Sequence, residues 1–209
     1  MRLDHVRASE QLAEIDPVMA RLVERHGPMR RDRPVPVARR FESLASTIAY
    51  QQLAGRAAAT IWSRVRALTP EGFTPEAVLA LDPRVLRSAG LSGAKTLSLL
   101  DLASHVGDGR LRLDRLGRLS DDEVISQLIQ VRGIGPWSAQ MFLMHELGRL
   151  DVWPTGDLGV RIGYARAYRL DATPTPKELG VLGDRLRPYR SVAAWYCWRC
   201  ADDPSELWA

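Results

Sequence analysis

The strongest constraint on the fold of this chain is that signals for helices follow one another along almost its whole length. Apolar residues recur at helical spacing through residues 41–68. Thr74-Pro75 and Asp82-Pro83 each place a capping side chain before a proline at the first helical position. No run of alternating apolar and polar residues flanked by hairpin turns interrupts them. We therefore predict an all-α protein.

Two four-residue patterns mark further helix starts. Residues 120–123 (SDDE) and 175–178 (TPKE) both have the form of a capping box, in which a hydroxyl and a carboxylate cap the first turn reciprocally. The first box predicts a helix over residues 123–131. Residues 30–38 (RRDRPVPVA) and 170–175 (LDATPT) are rich in proline and polar residues, and we predict that they are linkers.

The basic residues are almost all arginine. Of 29 lysines and arginines only Lys95 and Lys177 are lysine, and the net charge is +4. A guanidinium is a planar fork that can pair with two phosphate oxygens, so this composition suits a polyanionic partner. An arginine-rich proteome would produce the same excess, and a net charge of +4 does not separate the two explanations.

Neither a membrane span nor a metal site is indicated by the sequence. No stretch approaches the roughly 20 uninterrupted apolar residues of a membrane span, and residues 1–5 (MRLDH) do not begin a signal peptide, so we expect an intracellular protein. Cys197 and Cys200 form an isolated CxxC pattern, whereas a zinc site would need two further ligands nearby. We interpret them as reduced cysteines on one helical turn.

Residues 131–139 (VRGIGPWSA) are the most informative stretch. One helix ends on an apolar residue, a Gly-Ile-Gly turn follows, and we predict that the next helix opens at Ala139. Gly133 and Gly135 would permit backbone angles and a close approach that side chains block, and Ile134 would fill the gap between the two helices. The N–H groups of such a turn, at the positive end of a helix, suit a phosphate. They would bind a nucleic-acid backbone without reading bases.

A loop rich in glycine and proline follows the hairpin, and it contains one aspartate. The loop covers residues 152–160 (VWPTGDLGV), and its aspartate is Asp157. Together with the hairpin, it resembles the helix-hairpin-helix (HhH-GPD) superfamily of DNA glycosylases, in which Asp157 matches the catalytic aspartate. A glycine turn between helices is by itself a common helix cap, so the resemblance rests on both segments in combination.

Three other segments are similar to the DNA-3-methyladenine glycosylase II group of that superfamily. They are residues 48–54 (IAYQQLA), residues 91–95 (LSGAK) and residues 187–191 (RPYRS). In that group the first of these segments enters the minor groove of DNA. With the hairpin and the aspartate loop, these segments extend the resemblance over most of the chain.

The resemblance implies a fold of two helical subdomains, with the active site in the cleft between them. Residues 39–150 would form a central bundle with the hairpin at 131–137. Residues 1–38 together with 151–209 would form the second subdomain, which carries the catalytic aspartate.

Roles for individual pocket residues also follow from the resemblance. Asp157 would stabilise the positive charge that builds up on the sugar as an N-glycosidic bond breaks, and would orient the attacking water. Trp137 and Trp198 fall at positions that line the pocket of the flipped base, where aromatic faces stack on a cationic purine. Met141 completes the pocket and stands where some members have an aromatic residue.

The DNA contacts implied by the resemblance lie in two segments. The first is the join between two helices at Gln51, Gln52 and Leu53, where Gln52 or Leu53 would be the wedge that fills the space left by the flipped base. The second is the hairpin, with residues Arg132, Gly133, Ile134 and Gly135.

Two features of other superfamily members are missing from the sequence. Members that also cut the DNA backbone have a Schiff-base lysine near the position of Trp137 or Ser138, and this chain has none there. It also lacks the four-cysteine iron–sulfur pattern. We therefore expect a monofunctional glycosylase that has no metal or other cofactor at its active site. The sequence leaves open whether the hairpin binds a monovalent cation. Its partner would be double-stranded DNA with alkylated bases, and we expect a cytoplasmic, nucleoid-associated monomer.

Two other functions remain open at this point. A non-catalytic helix-hairpin-helix DNA-binding module would need only the hairpin and a basic face, but it would leave Asp157, Trp137 and Trp198 without a role. A glycosylase for mismatched or oxidised bases is disfavoured, because the cluster and the lysine are missing.

Some of the singled-out residues also have purely structural interpretations. Asp157 could be a helix N-cap, and Leu53 could belong to the core. Three other tryptophans, Trp62, Trp153 and Trp195, are predicted to be core residues.

Overall fold

The computed structural model describes residues 4–30, 34–53 and 55–203, and within them the regular structure is helical, with no strand. The prediction of an all-α fold is confirmed. Two short 3-10 helices cover Leu116–Arg118 and Asp184–Leu186. The α-helices of these residues are, in chain order, α1 (His5–Ile15), α2 (Pro17–His26), α3 (Val37–Tyr50), α4 (Gly55–Ala67), α5 (Pro75–Leu79), α6 (Pro83–Ser88), α7 (Gly93–Gly107), α8 (Asp121–Leu128), α9 (Pro136–His145), α10 (Leu158–Ala167), α11 (Pro176–Leu182) and α12 (Arg190–Asp202).

Most of the predicted helix starts are present. The side chains of Thr74 and Asp82 accept backbone N–H groups at the starts of α5 and α6, and Ser92 does the same at the start of α7 without having been predicted above. Both capping boxes form, at the starts of α8 and α11. The predicted linker 170–175 is not helical. Of the other predicted linker, 30–38, residues 31–33 lie outside the described residues, and the prediction is wrong for residues 37 and 38, which begin α3.

Two predicted boundaries in the hairpin are wrong. The helix predicted over residues 123–131 is α8, which starts and ends earlier, because Glu123 of a capping box is the third residue of its helix. The second helix, α9, begins at Pro136 and not at Ala139, since a proline in the first turn loses no intrahelical hydrogen bond. The carbonyl of Gly135 accepts the N–H of Ala139, so Ala139 already lies inside α9.

Contacts between residues divide the chain into two units. One comprises residues 35–142, which include helices α3–α8 and most of α9. The other comprises the described residues before 35 and after 142, with helices α1, α2 and α10–α12. The boundaries predicted from the sequence, at 39 and 150, lie a few residues further along the chain.

In the unit of residues 35–142, helices α3 and α7 make the main contacts between helices. Helix α3 packs against α4 and α7, and α7 also packs against α5 and α6. The buried side of α3 includes Phe41, Leu44 and Ile48. The ring of Phe41 stacks on Phe73 with the centroids 5.6 Å apart, and Trp62 meets Phe73 edge-on at 5.1 Å.

In the other unit, α10 and α12 form the largest contact between two helices of the described residues. Gly163 of α10 lies directly against the backbone of α12. A Cβ atom placed on Gly163 would be 1.7 Å from the carbonyl oxygen of Cys197. Side chains around this contact, among them Val160, Tyr164 and Tyr196, are buried. Helix α12 also packs against α1 and α2.

The tryptophans predicted to be core residues differ in burial. Trp153 is buried, as predicted, and its indole N–H donates to the carbonyl oxygen of Leu179 at 2.8 Å. Trp62 and Trp195 are only half-buried, so for them the prediction overstates the burial. Trp195 meets Tyr196 edge-on, and such a contact covers only part of the indole.

Cys197 and Cys200 lie on one turn of α12, both buried and neither in a disulfide, as predicted. Burial raises the pKa of the Cys197 thiol well above its usual range and the pKa of the Cys200 thiol to about 11. Neutral thiols are poor metal ligands and nucleophiles, so these residues contribute packing. Within the described residues, no group of three or more His, Cys, Asp or Glu side chains could hold a metal ion. None of the helices in this part of the chain is long and apolar enough to cross a membrane.

We expect Gly163→Ala to destabilise the protein severely. The added methyl group overlaps the backbone of α12, which can move only if the two helices separate. The free energy of unfolding should fall by about 3 kcal/mol or more, at the upper end of the cost of overpacking a core. Urea denaturation followed by circular dichroism measures this change.

Gly93→Ala is the matched control. Gly93 begins α7, and a Cβ atom there would meet nothing within 4 Å. Because alanine favours helices more than glycine does, this variant should be unchanged or up to about 1 kcal/mol more stable. An unfolding midpoint of Gly163→Ala equal to that of the wild type would mean that the close approach of α10 and α12 is absent in solution.

Candidate active site and DNA-binding elements

Asp157 is placed at the start of α10 by the loop before it. The N–H of Asp157 donates to the carbonyl oxygen of Pro154 at 2.9 Å, which closes the loop. The half-buried side chain then caps the helix, with Oδ1 accepting the N–H of Val160 at 2.8 Å. A negative charge at this position is stabilised by the positive end of the helix dipole. The N-cap interpretation of Asp157 is therefore correct for one of its contacts.

A second donor reaches the same oxygen. The indole N–H of Trp198 in α12 donates to Oδ1 of Asp157 at 2.9 Å. Gly159 leaves room for the indole: a Cβ atom on it would lie 3.0 Å from Cδ1 of Trp198 and 3.2 Å from Oδ1 of Asp157. A helix cap requires only the backbone donor, so the indole contact sets Asp157 apart from an ordinary cap.

The ring of Trp198 has a further neighbour. It is half-buried and stacks on His145, with the centroids 6.1 Å apart and the planes 24° from parallel. One indole thus offers its N–H edge to a carboxylate and a face to an imidazole. His145 is not among the residues predicted for the site, because no pattern near it along the chain links it to α12.

The RPYRS segment anchors the chain that leads to the aspartate loop. Nε of Arg190 donates to Oδ1 of Asp151 at 2.8 Å, and Nη1 of Arg187 donates to Oδ2 at 2.9 Å. The side chain of Arg190 is only 14% exposed, so solvent screens this ion pair less than a surface pair. The first turn of α12 therefore holds the loop before Asp157, while Trp198 from the same helix holds its carboxylate.

The hairpin turn rests on α7. Gly133 has a φ of +78°, and a Cβ atom on it would lie 2.5 Å from Oγ of Ser98, so both its backbone angle and its surroundings require glycine. The N–H of Arg132 donates to Oδ2 of Asp101 at 2.7 Å. Ile134 is buried, as predicted for a residue that fills the gap under the turn.

The sequence predicts that Gly135 permits a backbone angle and a close approach that a side chain would block. Within the described residues this prediction is wrong. Its φ is not in the left-handed region, and a Cβ atom there would meet nothing within 4 Å. Among the residues that the structure describes, neither the backbone nor the packing requires glycine at this position. The open space lies directly before α9, at the end of the helix where N–H groups attract anions.

The predicted wedge residues lie in the short loop between α3 and α4. Leu53 is 40% exposed, so the alternative that it belongs to the core is wrong. Gln52 is exposed and has a φ of +55°, which is uncommon for a residue with a side chain. Gln51 is half-buried, and its Nε2 donates to the carbonyl oxygen of Gly133 at 2.9 Å. Ala54, the last residue of the resembling segment, lies outside the described residues.

Lys95 points toward the same loop. Its Nζ donates to the carbonyl oxygens of Ala49 at 2.9 Å and of Gln51 at 2.6 Å. Burial lowers the pKa of the Lys95 ammonium group. From the sequence, Lys95 was only the last residue of the LSGAK segment, because nothing along the chain shows that α7 passes beside the end of α3.

Trp137 and Met141 lie one turn apart in α9. Trp137 is 46% exposed and Met141 is half-buried. A tryptophan with nearly half of its surface in solvent is unusual in a folded protein. These two residues belong to the unit of residues 35–142, whereas Asp157 and Trp198 belong to the other. Their place in a base pocket stays a prediction.

Comparison with known proteins identifies the family of this chain. Residues 45–185 match the family model described as the HhH-GPD superfamily base excision DNA repair protein. DNA-3-methyladenine glycosylase 1 of Schizosaccharomyces pombe is 34% identical over 196 residues, which cover 92% of this chain and 86% of that protein.

Solved structures are similar over most of their length. The Schizosaccharomyces pombe 3-methyladenine DNA glycosylase Mag1 in complex with abasic DNA has a TM-score of 0.82 and 34% identity, covering 92% of this chain and 95% of that one. DNA-3-methyladenine glycosidase from Bacillus halodurans has a TM-score of 0.83 and 33% identity, covering 93% and 89%. The chain therefore belongs to the HhH-GPD superfamily of base excision DNA repair proteins.

Proposed function

We propose that this protein is a monofunctional DNA glycosylase that hydrolyses the N-glycosidic bond of alkylated purines, of the 3-methyladenine type, in double-stranded DNA. Its similarity to proteins named DNA-3-methyladenine glycosylases supports this proposal, as does the similar structure bound to abasic DNA. The observation that carries it is the Asp157 carboxylate, whose Oδ1 is held by the N–H groups of Val160 and Trp198.

The held carboxylate suits the charge changes of the reaction. When the N-glycosidic bond breaks, the base leaves with the bonding electron pair and positive charge builds up on the sugar. A negative charge that is already in place stabilises this transition state without reorganisation. The oxygen of a water molecule then forms the new bond to C1′ and loses a proton to the solvent, and the carboxylate of Asp157 can orient that water by accepting a hydrogen bond.

An alkylated purine is the leaving group that needs least help. It already carries a positive charge, so it departs as a neutral base without a strong general acid. Its charge is also attracted to aromatic faces. The indole of Trp137 has a large exposed surface, and the indole of Trp198 lies beside the carboxylate. We expect these rings, with Met141, to contact the flipped base.

A non-catalytic DNA-binding module is the competing function. In that case Asp157 would be a helix cap only, like Asp82 at the start of α6. The hydrogen bond from Trp198 would then have no function beyond packing. A glycosylase for mismatched or oxidised bases is less well supported, because a relative that is 34% identical over 196 residues is named for 3-methyladenine.

The positions of the two lysines support a reaction that ends with an intact abasic site. Cutting the DNA backbone would need an amine that forms a Schiff base with the sugar, and α9 contains no lysine. Lys95 is occupied with the carbonyls of Ala49 and Gln51, and Lys177 is exposed on α11. We further propose that the protein acts as a monomer in the cytoplasm, associated with the nucleoid.

Asp157→Asn should abolish most of the activity without weakening DNA binding. The amide keeps the size and the capping ability of the side chain but removes its charge. Release of 3-methyladenine or 7-methylguanine should fall roughly 100-fold or more, as for the loss of one preorganised electrostatic group. Single-turnover assays of free-base release measure the rate, and titration of a duplex with an abasic analogue measures the affinity.

The control for this experiment is Asp82→Asn, which makes the same change at the N-cap of α6. It should release alkylated bases at the wild-type rate. Near-wild-type release by Asp157→Asn would contradict the mechanism. If the variant loses both activity and folding, the interpretation of Asp157 as only a helix cap would be favoured.

Gly135→Asp should weaken binding to damaged and undamaged duplexes alike. The new carboxylate would face a phosphate at the start of α9, and the slope of log affinity against log salt should flatten by about one counterion. Gly135→Ala is the matched control, because its Cβ atom has open space and adds no charge. If both variants bind equally at several salt concentrations, the hairpin does not contact DNA.

Borohydride should trap no covalent complex with lesion-containing DNA. A Schiff base is the species that borohydride reduces, and we expect none to form. Denaturing gels should show free protein and a DNA strand that breaks only after alkali treatment. A trapped complex that is lost in Lys95→Met would refute the monofunctional assignment.

A further inference from the structure

One helix supports both elements that the proposed function assigns to DNA. Lys95, Ser98 and Asp101 follow one another at intervals of three residues along α7, so they lie on the same side of the helix. Lys95 contacts the loop between α3 and α4, which contains the wedge residues. Ser98 and Asp101 contact the hairpin. All of these residues belong to the unit of residues 35–142.

The contact of Lys95 is directed at the end of α3. The last carbonyls of a helix have no partner within the helix, and they form the negative end of its dipole. The Lys95 ammonium group donates to two carbonyls at this end, those of Ala49 and Gln51. Charge-assisted hydrogen bonds of this kind are among the stronger ones in proteins.

The side chain of Gln51 completes the connection. Its backbone carbonyl accepts from Lys95, and its Nε2 donates to the carbonyl oxygen of Gly133 in the hairpin. Gly133 in turn lies against Ser98 of α7. The loop and the hairpin are therefore held to each other by Gln51 and to the same helix by Lys95 and Ser98.

The residue after this anchor has an unfavourable backbone conformation. Gln52 has a φ of +55°, and a residue with a side chain keeps such an angle only when its neighbours hold it there. The hydrogen bonds of Gln51 fix the position of the residue that directly precedes Gln52. They explain how Gln52 keeps this conformation on an exposed loop.

We propose that Lys95 and Gln51 are positioning residues, which set the wedge residues Gln52 and Leu53 in register with the phosphate-binding hairpin. The inference rests on the proposed function, because it takes the wedge and the hairpin as the two DNA contacts. A loop that is already in position inserts into the duplex without first losing conformational freedom. Lys95 thereby acts on base flipping, and neither on the chemistry at Asp157 nor on affinity for phosphates.

The test compares excision from two duplexes by Lys95→Met, which keeps the length of the side chain and removes its donors. A single 7-methylguanine is placed opposite cytosine, where flipping needs the wedge, or opposite an abasic site, where the base is loosely held. The rate from the paired lesion should fall about tenfold or more, the order expected for a lost charge-assisted hydrogen bond. The rate from the loosely held lesion should change far less.

Two further variants identify the cause. Lys95→Arg retains donors and should restore most of the paired rate. Lys177→Met removes the other lysine of the chain, on the exposed side of α11, and should leave both rates unchanged. Equal slowing of both substrates by Lys95→Met, or no slowing of either, would overturn the proposal.

A binding measurement makes the test independent of catalysis and of the stability of one variant. 2-Aminopurine beside an abasic analogue brightens when a wedge disturbs its stacking. At protein concentrations that saturate the duplex, the wild-type protein should brighten the 2-aminopurine, and Lys95→Met and Gln51→Leu should brighten it less. If Lys95→Met does not fold, the brightening measured with Gln51→Leu tests the proposal. If wild type releases no base, the proposed function fails, while unchanged brightening by the variants refutes the positioning role.

Discussion

The close approach of Gly163 to the backbone of Cys197 is the constraint on which the candidate active site depends. It brings α10 and α12 together, and the residue after Cys197 is Trp198, whose indole reaches Asp157. Gly159 lies one turn before Gly163 and leaves room for that indole. A larger residue at Gly163 would push the helices apart, and a larger residue at Gly159 would crowd the indole of Trp198 and the carboxylate of Asp157. The orientation of the Asp157 carboxylate therefore depends on the close approach of the α10 and α12 backbones, and this packing restricts its movement.

The donors that hold Asp157 suit the proposed chemistry. The N–H groups of Val160 and Trp198 are uncharged, so they orient the carboxylate without cancelling its charge. A guanidinium in the same position would neutralise the charge that the transition state requires. The arginines Arg187 and Arg190 instead pair with Asp151, in the chain that leads to the loop. Charged groups therefore anchor the chain before the loop, and two of the donors to Asp157 are neutral.

Each unit uses one helix to hold two segments that are distant in sequence. In one unit α12 anchors the aspartate loop through Arg190 and supplies Trp198. In the other, α7 holds the α3–α4 loop through Lys95 and the hairpin through Asp101. Each helix therefore holds two separate segments in a preorganised arrangement within its own unit. Such preorganisation matters most where binding must also deform a base pair or stabilise a short-lived charge.

The sequence by itself determined the all-α fold, the helix caps, the glycine of the turn at position 133 and the place of Asp157 before a helix. These features depend on residues within about one helical turn of each other, where spacing alone reveals the partner. The tertiary structure decided that Trp198 contacts Asp157, that Lys95 caps α3, that Leu53 is exposed and that residue 135 needs no glycine. Periodicity shows that a position is apolar or small, but not which distant element covers it, because that depends on how separate helices pack.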